Sequence, residues 1–111
     1  MIYNSTLSMN KPPVITAKLQ RSVRSKRKYQ VALYQDGRPV QFVHFGHPDF
    51  EDFTQHKDEK RKKNYIARHK PREHWHDIYT PGMWSRFLLW DQPTLQQAKK
   101  NITKMFGIKF I

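Results

Sequence analysis

Six histidines are the first residues to test for chemistry, because imidazole can be metal ligand, general acid or general base near neutral pH. His44, His47 and His56 surround a strand-to-helix junction, with Asp49, Glu51 and Asp52 among them. His69, His74 and His76 form a second group beside Glu73 and Asp77. Zinc accepts three or four His, Asp or Glu ligands, so both groups have suitable residue types. Their spacing is less suitable. His44 and His47 straddle a break at Gly46 and Pro48, unlike the i,i+4 helical pair of HExxH, and His74 and His76 project oppositely if extended. The absence of cysteine excludes thiolate sites and disulfides. The expectation is therefore no metal and no cofactor, with histidines that pack, cap helices or bond carboxylates.

Carboxylates are the second place to look. A metal-dependent nuclease needs clustered acids or a histidine base near a phosphate clamp, and Asp49, Glu51, Asp52 and Asp58 with His56 and Arg68 are the residues it would recruit. Each acid also has a plainer task. Asp49, Asp52 or Thr54 suits a helix N-cap, while Asp58/Lys62 and Glu59/Lys63 are i,i+4 pairs with the acid first. No Ser-His-Asp spacing, phosphate loop or dinucleotide fingerprint is present. A non-enzymatic protein is expected, with the nuclease as a remote alternative.

Charge is the strongest global feature. The formal net charge of +12 is concentrated towards the N-terminus, where residues 1–28 hold seven basic and no acidic side chains. Residues 47–70 nearly balance, with seven basic against five acidic. An uncompensated positive field suits docking on nucleic acid, an acidic protein surface or anionic lipid. The candidate partner-binding residues are Lys11, Lys18, Arg21, Arg24, Lys26, Arg27 and Lys28, joined by Lys60 and Lys63 from the basic helix. Tyr34, Tyr79, Trp75 and Trp84 are possible stacking partners, although aromatics of the second half more often form a core.

The elements that position these residues follow from periodicity. The 111 residues suit one domain, and no run approaches the roughly 18 apolar residues of a membrane span. Residues 1–13 read as an extended basic arm ending in Pro12-Pro13, and 14–111 as a single small α+β domain. Alternation places Ile15, Ala17, Leu19 and Val23 on one face of a first strand. Tyr29, Val31 and Leu33 share a face of a second strand, and Asp36-Gly37 signals a hairpin into a third, whose apolar run suggests a central position. The predicted sheet is thus a three-stranded antiparallel meander at about 14–24, 27–35 and 39–46. Three helices at about 50–69, 81–90 and 93–106 pack on one face. Gly107 would cap the last helix, and residues 108–111 could add a short extra strand.

A set of local motifs carries a resemblance. His44-Phe45-Gly46, the series at 52–69, Glu73 and Trp75, TPGMWSRFLLWD at 80–91 and PTL at 93–95 together resemble a small uncharacterised domain family of nucleocytoplasmic large DNA viruses, the giant viruses. The resemblance spans about residues 28–107 and carries no activity or catalytic residue. It implies a virion setting: a minor capsid or other structural component that docks its basic arm and sheet edge on acidic partners such as capsid proteins. Its localisation would be the virion, and host cytoplasm or nucleus during infection. Sequence-nonspecific binding of DNA or RNA is the alternative.

Overall fold

The computed structural model describes residues 12–111. Strands β1 (Ile15–Arg21), β2 (Tyr29–Gln35) and β3 (Arg38–Phe45) are followed by α1 (Phe53–His56) and α2 (Glu59–His69). Next come α3 (Pro81–Trp84), α4 (Leu95–Phe106) and a two-residue strand, β4 (Lys109–Phe110). The class is α+β, and the sheet has four strands in the order β3-β2-β1-β4. The expected arm at 1–13, with Lys11, lies almost wholly outside the described residues.

The meander forms as its alternation predicts. β1 and β2 pair antiparallel from Ile15↔Gln35 to Arg21↔Tyr29. Asp36 and Gly37 both take positive φ, 51° and 82°, which is the backbone of a tight hairpin turn. One extra residue then shifts the β2–β3 register between Leu33 and Tyr34. Three sequence expectations need correction. The sheet is mixed, because β4 joins β1 in parallel through Thr16↔Lys109 and Ala17↔Phe110. The third strand is an edge with exposed Phe42, since Pro39 offers no N–H for a further ladder. Val23 lies beyond the end of β1 and is 85% exposed, so the inner face stops earlier than the alternation suggested.

The helices are also more broken than their periodicity indicates. The predicted helix at 50–69 divides at Lys57, which adopts left-handed φ of 56° and closes α1. Asp58 then caps α2 afresh, accepting from the Lys60 and Arg61 amides, so it forms no ion pair with Lys62. Instead Lys62 reaches the Asp91 carbonyl at 2.7 Å and lies over the Phe53 ring. The helix expected at 81–90 begins as α3 and widens into a π-helical turn over Ser85–Leu89, closed by the Trp90 amide on the Ser85 carbonyl. The last helix begins at Leu95 with Thr94 as its cap, and Gly107 ends it at φ 72° as expected.

The core lies between the inner sheet face and the second-half helices. Ala17, Val31, Leu33, Val43 and Phe45 from the sheet meet Met83, Trp84, Leu88, Leu89, Ala98, Ile102 and Ile108. Trp84 is wholly buried, packs near Phe45 and Phe110, and gives its indole N–H to the Ile78 carbonyl at 2.6 Å. Opposite this core, the outer sheet face with Lys18, Phe42 and His44 has no helix packed on it among the described residues. Removing the central indole leaves both a cavity and an unpaired carbonyl. Trp84→Ala is expected to lower the unfolding free energy by about 3–5 kcal/mol, measured by urea denaturation with the wild type alongside.

Candidate functional site

The residues that could act on a partner converge where the β1–β2 connection meets the strand-to-helix loop. After Arg21 the chain turns through Ser22 to Arg27, and the Lys28 amide bonds the Gly46 carbonyl at 3.0 Å. Gly46 takes φ of 86°, and a Cβ there would press on Leu89 and Lys28, so this approach requires glycine. Lys28 then extends to Asp52 Oδ2 and Gln55 Oε1, each at 2.7 Å.

Asp52 is the anchor of this junction. It is 3% exposed, caps α1 by accepting from the Thr54 amide, and is also bonded by the Thr54 hydroxyl. Gln55 returns to the Asp52 amide at 2.9 Å, completing a capping box whose glutamine also accepts from Lys28. The sequence reading that no acid compensates the basic run at 21–28 therefore requires correction at Lys28, whose charge is taken up by Asp52.

The remaining candidates separate by position. Arg21, Arg24, Lys26 and Arg27 are exposed, and none has a carboxylate within ion-pair distance among the described residues. Lys18 is exposed on the outer sheet face. Lys60 and Lys63 are exposed on α2, turned away from the face that carries Arg61, Tyr65 and Arg68. Lys11 falls outside the described residues.

That second face of α2 lines a cleft of about 600 Å³. Arg61, Asn64, Tyr65, Arg68 and His69 form one wall, and Arg27, Gly46, His47, Phe50 and Glu51 form the other. Phe45, Leu89 and Trp90 belong to the floor, and Gly82 and Glu73 also line the cleft. Tyr65 is stacked between two rings: Trp90 at 4.3 Å and nearly parallel, and His69 at 4.2 Å. Burial, with Glu73 nearby, pushes the Tyr65 hydroxyl up to about 12 despite Arg86, Arg68 and a Ser85 hydrogen bond, so the phenol stays neutral. Glu73 sits 3.4 Å from His69, and its carboxylate occupies the space that a Cβ at position 82 would need. Gly82 is thus what lets Glu73 fold over the start of α3.

The histidine groups do not assemble. Among the described residues, no three His, Asp or Glu side chains are placed to share a metal ion. His44 bonds the Ser22 hydroxyl at 2.8 Å, His47 accepts from the Asp49 amide, and His56 accepts from the Asp58 amide beside the Trp90 ring. The acids of the nuclease alternative are similarly occupied: Asp52 and Asp58 cap helices, and Glu51 faces Arg61 at 3.9 Å.

Sequence reasoning found the basic turn but missed the cleft. Arg68 was legible only as a residue the nuclease alternative would recruit and Arg61 only as part of a basic helix, while Phe50, 64% exposed at the rim beside His47, carried no signal of its own. The i,i+4,i+7 spacing of Arg61, Tyr65 and Arg68 was the available signal.

Residues 17–69 match the model of a family of unknown function, DUF5754. The DUF5754 match takes in the three-stranded meander, the Lys28–Asp52 junction and the α2 wall, while α3, α4 and β4 follow it in the chain. It agrees with the resemblance in pointing to a small uncharacterised domain. No curated protein and no solved structure matches the chain.

Two outcomes follow from this geometry. Removing the acid from a buried, hydrogen-bonded pair leaves Lys28 uncompensated and uncaps α1, so Asp52→Ala should cost about 3–5 kcal/mol in urea; a loss below about 1 kcal/mol would show that the junction is not an anchor. The second concerns pH. Burial, reinforced by Arg24 and Arg27, holds His44 below its ordinary 6.5, and burial with Arg61 does the same to His56 against Asp58, Glu51 and Asp52. The unfolded chain therefore binds more protons than the folded one just below pH 6.5, and stability rises with pH there. The melting temperature should be highest above that value and fall as pH drops through the depressed folded values. The double variant His44→Gln/His56→Gln should flatten this slope in calorimetry at a series of pH values.

Proposed function

We propose that this protein is a non-enzymatic interaction module that docks the basic end of its sheet on an acidic partner. In the setting implied by the resemblance, it is a minor capsid or other virion component of a large DNA virus, assembled with other virion proteins. It would be found in the virion, and in host cytoplasm or nucleus during infection. The observation that carries this reading is the β1–β2 turn. Arg21, Arg24, Lys26 and Arg27 are exposed there, with no carboxylate partner among the described residues, on a connection held by Lys28 and Gly46. Because the backbone that presents these cations is already held in place, docking has to order their side chains but not the turn itself, which supports a recognition role.

A second reading is sequence-nonspecific binding of DNA or RNA through the same turn. It is favoured by the additional arginines, Arg61 and Arg68, that share a cleft with Arg27. The two differ in what satisfies the positive surface. If the partner is a nucleic acid, duplex affinity should fall with salt at a log–log slope of about −3 to −4, one counterion for each of the four exposed cations. Arg24→Gln should then reduce the slope by about 0.9. Absence of duplex binding at low salt would remove the second reading. Mass spectrometry of purified particles of the source virus would remove the virion reading if the protein is not in them.

A further inference from the structure

We infer that the cleft between α2 and the 46–51 loop is a site for one nucleotide unit, a planar base carrying a phosphate. This goes beyond docking at the β1–β2 turn, although it shares Arg27 with it. The volume of about 600 Å³ lies within the range of small-molecule sites. Its charge is selective. Of the cations lining it, Lys28 is bound to Asp52 and Arg61 has a distant partner in Glu51, whereas Arg27 and Arg68 have no carboxylate among the described residues. Two guanidiniums without a carboxylate, one from each wall, suit the forked oxygens of a phosphate, although one Arg27 nitrogen already donates to the Lys26 carbonyl at 2.8 Å.

The rest of the cleft suits a flat ring. Phe50 is exposed at the rim with His47 against it at 4.7 Å, so apolar surface is open to solvent in a lining that also holds Arg27 and Arg68. Across the cleft, His69 is the outer member of the Trp90–Tyr65–His69 stack, and its side chain is 40% exposed. A base laid between these walls would cover the aromatic surface that the fold leaves wet. Glu73, beside Gly82 and 3.4 Å from His69, opposes anions where it stands, which leaves the phosphate to Arg27 and Arg68. An acidic peptide would use the arginines but leave Phe50 uncovered, so it fits the cleft less well.

The same chemistry could come from a free nucleotide or from a base splayed out of a single strand. Tryptophan fluorescence can follow either, since Trp90 lies in the floor. The full-length protein at low salt should bind AMP or the oligonucleotide dT6, with adenosine and ribose 5-phosphate at least about tenfold weaker, because each lacks one half of the recognition. Arg68→Gln and Phe50→Ala alter exposed side chains and should each weaken binding about tenfold or more. Arg24→Gln/Lys26→Gln should leave this affinity within about twofold, even if it abolishes docking at the turn. Binding of AMP with dT6 at least about tenfold weaker assigns a free nucleotide, binding of dT6 with AMP at least about tenfold weaker assigns a strand, and comparable affinity shows that the site accepts the nucleotide unit from both sources. Binding of neither, equal binding of ribose 5-phosphate, an unchanged affinity in Phe50→Ala, or binding of an oligoglutamate peptide in place of both would overturn the proposal.

Discussion

The contact between Lys28 and Asp52 is the constraint on which the rest of the arrangement depends. Taking both charges out of water is costly, and only close geometry with further hydrogen bonds offsets it. Here the carboxylate has Lys28, the Thr54 amide and the Thr54 hydroxyl, while Lys28 has Gln55 in addition. The pair joins two segments 24 residues apart, fixing the β1–β2 connection against the start of the helical half. Because Gly46 brings its carbonyl to the Lys28 amide, backbone and side chain act together, and the loop between β3 and α1 has one position relative to the sheet.

The basic turn and the cleft are both displayed from that junction. On its outer side stand Arg21, Arg24, Lys26 and Arg27, positive groups that the interior does not neutralise. Its inner side forms one wall of the cleft, opposite the α2 face bearing Arg61, Tyr65 and Arg68. A second polar cluster secures the far ends of the helices. Asp91 accepts from Arg86, Gln92 and Asn101, and its carbonyl accepts from Lys62, so the segment after the π-helical turn is tied to both α2 and α4. The wider π turn places Trp90 where it stacks on Tyr65, which links this cluster to the floor of the cleft.

Periodicity and turn chemistry are local properties, and the sequence by itself determined what depends on them: the meander, the Asp36-Gly37 hairpin, the Gly107 cap and an α+β class with second-half helices on one sheet face. The N-terminal bias of charge was equally legible, because counting requires no geometry. The tertiary structure decided the rest. Whether Asp58 pairs with Lys62 or caps a helix depends on a left-handed Lys57, which no spacing announces. A short strand at 108–111 was expected from the sequence, but its partner and its parallel direction beside β1 follow from where α4 delivers the chain. Whether Lys28 is a free cation was decided by a partner 24 residues away, and the cleft by rings and arginines from four separate segments. Compensation of charge is a relation in space, so the sequence could count the basic residues while only the fold could show which of them remain free to bind.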